Sequence, residues 1–231
     1  MNAAVKMTDV AFAWRGQTTF SLALPDLTVA AGEKLFVLGE SGSGKSTLLS
    51  LMCGITTPQS GKIEIDGTTL SDLRPAQRDR FRAENIGVIF QMFNLLPYAS
   101  PIENIVLPLA FAPNRAKQAG DQTAEALRLT KALGLPETLV TRARTTELSI
   151  GQQQRVAAAR ALIGKPRLII ADEPTSSLDA NTQEAFVDLL MEQTAAADAS
   201  LIMVSHDARL ADRFDRALDL SEVAQVSRSG T

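Results

Sequence analysis

Gly39-Glu40-Ser41-Gly42-Ser43-Gly44-Lys45-Ser46-Thr47 has the spacing GxxxxGK[ST], a pattern whose chemistry is the holding of phosphate groups. Its glycines let successive backbone N–H groups turn inward toward phosphate oxygens. The start of the helix that follows adds roughly half a positive charge at the same point. From there Lys45 reaches the terminal phosphates, and Ser46 offers a hydroxyl to Mg²⁺, a hard cation that prefers oxygen ligands. A second cluster closes the run Arg167-Leu168-Ile169-Ile170-Ala171-Asp172-Glu173. It places two carboxylates at the C-terminal end of an apolar strand, where ligands of open α/β sheets sit. Asp172 is suited to a Mg²⁺ shell and Glu173 to polarising an attacking water. The plainer reading of these residues alone is a strand ending in solvated acids before a Pro174 turn.

Ser149-Ile150-Gly151-Gln152 carries two meanings at once. Ser149 and Gln152 have capping-box spacing, so a helix starts here and runs to Gly164 and Pro166. A capped helix start is also an anion site, able to present a hydroxyl and backbone amides to a terminal phosphate.

These groups need elements to position them. Val10, Phe12 and Trp14 alternate with smaller residues, and Leu35 to Leu38 is an apolar run before Gly39, so two strands are expected ahead of the first helix. Gly61 to Gly67 reads as a short alternating strand, Arg74 to Arg82 as a helix, and Ile86 to Phe90 as a buried strand. From Gln91 to Lys165 the strand signals stop and helix stops appear at Gly134 and Gly164. Leu168 to Ala171 and Leu201 to Val204 are again apolar strands, separated by a helix on which Phe186, Leu189 and Leu190 mark one face. Strand, helix, strand implies parallel pairing. The tail from Ser221 to Thr231 carries little structural signal.

With 231 residues the chain can bury a full core, and one domain with a subdomain is expected. Apolar residues make up 45% and charged residues 21%, as in a globular enzyme rather than a disordered chain. A net charge of −3 supplies no basic field for counterion release, which argues against nucleic acid as a partner. The single cysteine, Cys53, cannot form an internal disulfide and reads as a small buried side chain of a protein in a reducing compartment. No segment reaches the ~18 apolar residues that a membrane span needs, so a cytoplasmic protein is expected.

Taken together, the phosphate loop, Gln91 after a strand, LSIGQQQR (Leu148 to Arg155), IIADEPTSSLD (Ile169 to Asp179) and His206 in VSHD resemble the ABC ATPases in order and spacing. The likeness runs from about Val5 to Leu220. ENIGVIFQMFNLLP (Glu84 to Pro97) and ENIVLPL (Glu103 to Leu109) look most similar to the lipoprotein-release and macrolide-export branch. The fold so implied is α/β, a P-loop NTPase core of mainly parallel sheet with an antiparallel β subdomain and a helical insert. The chain would divide into 1–90 (core with β subdomain and phosphate loop), 91–164 (helical subdomain), 165–222 (rest of the core) and a 223–231 tail.

The resemblance also assigns roles. ATP and Mg²⁺ are the implied cofactors, with Ser46, Gln91 and Asp172 at the metal and Glu173, His206, Lys45 and Gln91 at the reacting phosphate. Gly39, Ser41, Gly42, Ser43, Gly44, Lys45, Ser46 and Thr47 would hold the nucleotide, with Trp14 at the place where the family stacks an aromatic ring on adenine. Trp14 shares a strand face with Val10 and Phe12, so a core position is the alternative. Ser149, Gly151, Gln152 and Asp179 would serve the nucleotide of a second copy, which implies a homodimer. His206 taken alone is an ordinary strand-end histidine. The cluster Arg74, Arg78, Arg80 and Arg82 reads as a solvated helix face.

Ile150 stands where the family most often has glycine, and a β-branched residue resists positive φ. A negative φ is therefore expected there, with the contact running through Ser149 and the Gly151 amide.

The implied function is a transport motor at the inner face of the cell membrane, driving a multispanning permease on another chain. Phe93, Leu95, Leu96 and Tyr98 could line its docking groove, or serve as core. A regulator that signals through a membrane partner without transport is the alternative. A soluble ABC ATPase of translation or DNA repair is disfavoured by the single phosphate loop and the lack of sustained heptads.

Overall fold

The computed structural model describes residues 3–14, 19–40 and 42–229. The chain forms two compact units, one of Met1–Arg82 with Ile202–Thr231 and one of Ala83–Leu201.

The first unit begins with β1 (Ala3–Trp14), β2 (Thr19–Ala30) and β3 (Lys34–Leu38), which lead into α1 (Lys45–Met52). Three strands therefore precede the first helix where two were expected. The missed one is β2, whose alternation of Leu22 and Leu24 is broken at Pro25-Asp26 before Leu27 and Val29 resume it. In β1 the residue Asp9 has φ 49, and the pairing register with the neighbouring strand shifts between Thr8 and Ala11. This bulge changes the phase of the alternation, so Val5 and Met7 are buried before it and Val10 and Phe12 after it.

Then come β4 (Ser60–Ile65), β5 (Thr68–Thr69) and α2 (Pro75–Asn85), the helix that carries the chain onward. Arg78 of α2 does not stand in solvent as a plain charged face would. Its Nε donates to the Gly54 carbonyl at 2.9 Å, while Arg82 pairs with Asp79 at 2.8 Å on the surface.

The second unit opens with β6 (Ile86–Ile89) and continues through α3 (Pro101–Val106), α4 (Pro113–Ala119), α5 (Gln122–Ala132), α6 (Glu137–Arg142) and α7 (Ile150–Leu162) with no strand between them. The helical stretch is thus as the helix stops suggested. β7 (Leu168–Asp172) follows and pairs parallel to β6, with Ile86 opposite Leu168 and Ile89 opposite Ala171. α8 (Ala180–Ala196) buries Phe186, Val187 and Leu190; Leu189 is only half-buried. β8 (Ser200–Ser205), buried along its whole length, leads back to the first unit.

β9 (Arg216–Asp219) pairs parallel to β3. After α9 (Leu220–Val223), the expected featureless tail instead forms β10 (Gln225–Ser229), antiparallel to β2 from Gln225 opposite Ala23 to Ser229 opposite Thr19. The resulting sheet has five strands in the order β10-β2-β1-β4-β5. No helix among the described residues is long and apolar enough to cross a membrane.

Candidate functional site

Position is set at the phosphate loop by β3, whose Leu35, Phe36 and Val37 are fully buried, and by α1. Gly44 caps α1 with φ 98, a left-handed conformation open to glycine at little cost. Among the described residues no side chain caps this helix start and its first turn holds no acidic residue, so no carboxylate there offsets the helix dipole. A side chain at Gly44 would also crowd its neighbours. A Cβ there would lie 3.1 Å from Leu22, 3.2 Å from Phe20 and 3.4 Å from Val226, the apolar wall behind the loop.

Lys45 is only 6% exposed, and its Nζ donates to the carbonyls of Gly39 at 2.6 Å and Glu40 at 2.9 Å. The ammonium is therefore already drawn over the loop. Beside it the Ser43 hydroxyl is buried without a hydrogen-bond partner. A Cβ on Gly39 would come within 2.5 Å of that oxygen, so the loop closes tightly on a hydroxyl with no partner among the described residues. Such a group fits a phosphate oxygen. Ser41 lies outside the described residues.

Trp14 ends β1 at 46% exposure, so it is not a core residue. Its ring meets Phe12 edge-on with centroids 4.8 Å apart, and its Nε1 donates to the Thr47 hydroxyl in the first turn of α1 at 3.2 Å. An exposed indole is thereby fastened beside the phosphate loop. His206, exposed, follows β8. The adjacent Asp207 is held below the usual carboxylate range by its hydrogen bond from Arg209.

In the second unit, Asp172 is the last residue of β7. Glu173 turns the chain with φ 42, a left-handed conformation that costs a non-glycine residue roughly 1–2 kcal/mol and gathers at functional sites. The turn is held from both sides. Gln154 Nε2 donates to the Pro174 carbonyl at 2.7 Å, and Gln183 Nε2 to those of Thr175 at 3.0 Å and Leu178 at 3.1 Å.

Gln91 is exposed just after β6, ahead of two more left-handed residues, Phe93 at φ 57 and Asn94 at φ 49. Arg160 donates to both their carbonyls, at 2.5 Å to Phe93 and 2.7 Å to Asn94. Phe93 is buried, whereas Tyr98 is 85% exposed and Met92, which sequence reading passed over, is 82% exposed.

Ser149 and Gln152 form the expected capping box: the Ser149 hydroxyl accepts from the Gln152 amide and the Gln152 side chain accepts from that of Ser149. Ile150 is the first helical residue and half exposed, which agrees with the expected negative φ. Ile150→Gly should then keep ATP hydrolysis within a few fold while costing no more than about 0.5 kcal/mol of stability at this first helical position. Steady-state rates beside thermal unfolding check this, and a large change in rate would show that the isoleucine side chain itself takes part. Asp179 is the N-cap of α8, accepting from the Thr182 hydroxyl and amide, which hold its carboxyl below the usual range.

Two residues that sequence reading missed are Gln154 and Arg160. A glutamine and an arginine set among Val156, Ala157, Ala158, Ala159 and Ala161 were the available signal, since neither type is commonly buried without paired groups.

The chain matches the family model described as ABC transporter over residues 23–176. It is 39% identical over 197 residues to the lipoprotein-releasing system ATP-binding protein LolD of Xanthomonas euvesicatoria pv. vesicatoria (strain 85-10), covering 85% of this chain and 79% of that protein. Among solved structures, the dimeric post-hydrolysis state of the ATP-binding cassette MJ0796 bound to ADP and Pi matches with a TM-score of 0.82 at 32% identity, over 98% of this chain and 100% of that one. CbiO1 from Clostridium perfringens, part of the ABC transporter complex cbiONQ, matches with a TM-score of 0.75 at 26% identity, over 90% and 80%.

Proposed function

Because the chain belongs to the ABC transporter family and is an ATP-binding, ATP-hydrolysing subunit of the P-loop fold, we propose that it drives a separate membrane permease that extracts or exports lipid-modified proteins. The observation that carries the nucleotide half of this reading is the phosphate loop, with an uncapped helix start and the unpartnered, buried Ser43 hydroxyl.

In the proposed cycle, Lys45 exchanges the Gly39 and Glu40 carbonyls for the terminal phosphates of ATP, and Trp14 stacks on the base. Ser46, Gln91 and Asp172 are the residues that would hold Mg²⁺. Held there, it would supply positive charge to the phosphates. Glu173 accepts a proton from the attacking water, Gln91 orients that water, and His206 steadies the terminal phosphate as ATP becomes ADP and phosphate. Ser149, Gly151, Gln152 and Asp179 engage the nucleotide of a second copy, so the working form is a homodimer. Residues 91–164, with Tyr98 and Met92 exposed beside Gln91, pass the movement to the permease at the cytoplasmic face of the membrane.

The substrate class follows the LolD relative, named for lipoprotein release. Its test is a detergent-solubilised complex of this chain with its permease, assayed for ATP hydrolysis with and without an acylated lipoprotein. Stimulation by the acylated protein and not by its unacylated form is the expected result. A complex indifferent to acylation removes the substrate assignment, and a chain that copurifies with ribosomes or DNA removes the transport reading.

A further inference from the structure

The cycle described above leaves two buried polar side chains of α7 without a role, Gln154 at 1% and Arg160 at 8% exposure. Both spend their donors on backbone carbonyls: Gln154 on Pro174, and Arg160 on Phe93 and Asn94. A bond to a carbonyl fixes where a chain runs, whatever residue stands there. The three acceptors lie at the two turns that carry the hydrolytic groups. Pro174 follows Glu173, which has φ 42, and Phe93 and Asn94, with φ 57 and 49, follow Gln91. Left-handed conformations at non-glycine residues persist where the surroundings over-determine them, and here one helix, α7, bonds to both turns.

We propose that Gln154 and Arg160 are positioning residues for hydrolysis, Gln154 setting the turn that aims Glu173 and Arg160 the turn that aims Gln91. Because both project from α7, one rigid element fixes the two groups against a common frame. The inference rests on the roles given to Glu173 and Gln91 under the proposed function. It extends the part of α7 in the cycle from its N-terminus, at Ser149 and Gly151, along its length.

The experiment measures kcat, KM for ATP, the Mg²⁺ concentration for half-maximal rate and thermal unfolding, on the full chain. The variants are Gln154→Met, Arg160→Met and Arg160→Lys, beside Glu173→Gln and Gln91→Ala as references. Gln154→Met keeps bulk and removes the donor, and should lower kcat by about ten- to a hundredfold, the scale of a small misplacement of a reacting group, with KM for ATP little changed. Arg160→Met should do the same and also raise the Mg²⁺ requirement in the direction of Gln91→Ala. Arg160→Lys can still reach a carbonyl and should recover part of kcat.

If the references lose hydrolysis while the α7 variants change only the melting temperature, with kcat per folded molecule intact, the two residues are merely structural and the inference is overturned. If Glu173→Gln and Gln91→Ala hydrolyse ATP normally, the functional reading itself has failed and takes the inference with it. Should the methionine variants fold poorly, the split between kcat and KM in Arg160→Lys decides: an equal fall in ATP binding and turnover counts against positioning.

Discussion

Glu173→Gln should stop ATP hydrolysis while leaving ATP binding intact, and the ATP-bound protein should accumulate as a dimer. Glutamine keeps the size of glutamate and one of its two acceptor oxygens but cannot take a proton from water, so the expected loss is roughly 10²- to 10⁴-fold, the usual worth of a general base. The backbone at this position makes a second variant informative. Glu173 sits at φ 42, so Glu173→Gly relieves a strained conformation while also removing the carboxylate. Its activity should fall as far as that of the glutamine variant, while its thermal stability holds or rises. Hydrolysis and nucleotide binding measured in the presence of Mg²⁺ check both. Normal turnover by Glu173→Gln would place the base elsewhere.

The second large effect concerns stability. Arg115 of α4 is 3% exposed and donates to four carbonyls: Ile163 at 2.6 and 3.0 Å, Ala161 at 3.0 Å, Ala83 at 3.0 Å and Ile86 at 3.4 Å. Two of these acceptors belong to the end of α7, whose last carbonyls have no partner inside the helix. Burial pushes the guanidinium down to about 10, with the nearby Glu84 acting in the opposite direction. It therefore remains charged at neutral pH with all its donors. Arg115→Leu fills space but leaves buried carbonyls unpaired, at a cost of about 3–5 kcal/mol. At roughly 2–4 °C per kcal/mol for a chain of this size, the melting temperature should drop by about 10 °C. Arg115→Lys keeps the charge with a smaller reach and should fall between. A melting temperature for Arg115→Leu within about 2 °C of the unchanged protein would mean that these carbonyls find other partners.

The sign of the pH effect follows from the same burial. The folded state lowers the pKa of Arg115, so the unfolded chain binds more protons between the two values, and the term becomes more favourable only as pH rises above about 10. Between pH 7 and 9 it should be flat, and an acid-induced loss of stability must come from other groups.

The fold was legible wherever a run of side chains had an uninterrupted period. β3, β6, β7 and β8 stand where apolar runs placed them, and the helical stretch follows its glycine stops. β2 escaped because Pro25 and Asp26 interrupt its alternation, and β10 because Gln225 to Ser229 contain a single apolar residue, Val226, and show themselves as a strand only by pairing with β2. Tertiary pairing decides such strands, and local pattern does not record it.

At the site, the phosphate loop and the Asp172-Glu173 pair were visible as residue types at fixed spacing. The left-handed turns at Glu173, Phe93 and Asn94 were not, since none contains the glycine that normally announces positive φ. Nor were Gln154 and Arg160, whose partners are carbonyls distant in sequence and therefore leave no motif. Ser149 illustrates the remaining ambiguity. It is a helix cap in this structure, and that same geometry is what a phosphate-binding role would use.

The apolar wall behind Gly44 has a consequence for the order of synthesis. Phe20 and Leu22 are synthesised well before Val226, which lies on the strand beside theirs. A nascent chain thus carries the whole glycine-rich loop long before its backing is complete. Nucleotide stabilises only a conformation able to bind it, so ATP rewards the finished protein and gives little support to an incomplete one. A chain cut short before Val226 lacks one side of that wall, so ATP should raise its melting temperature less than it raises that of the full chain.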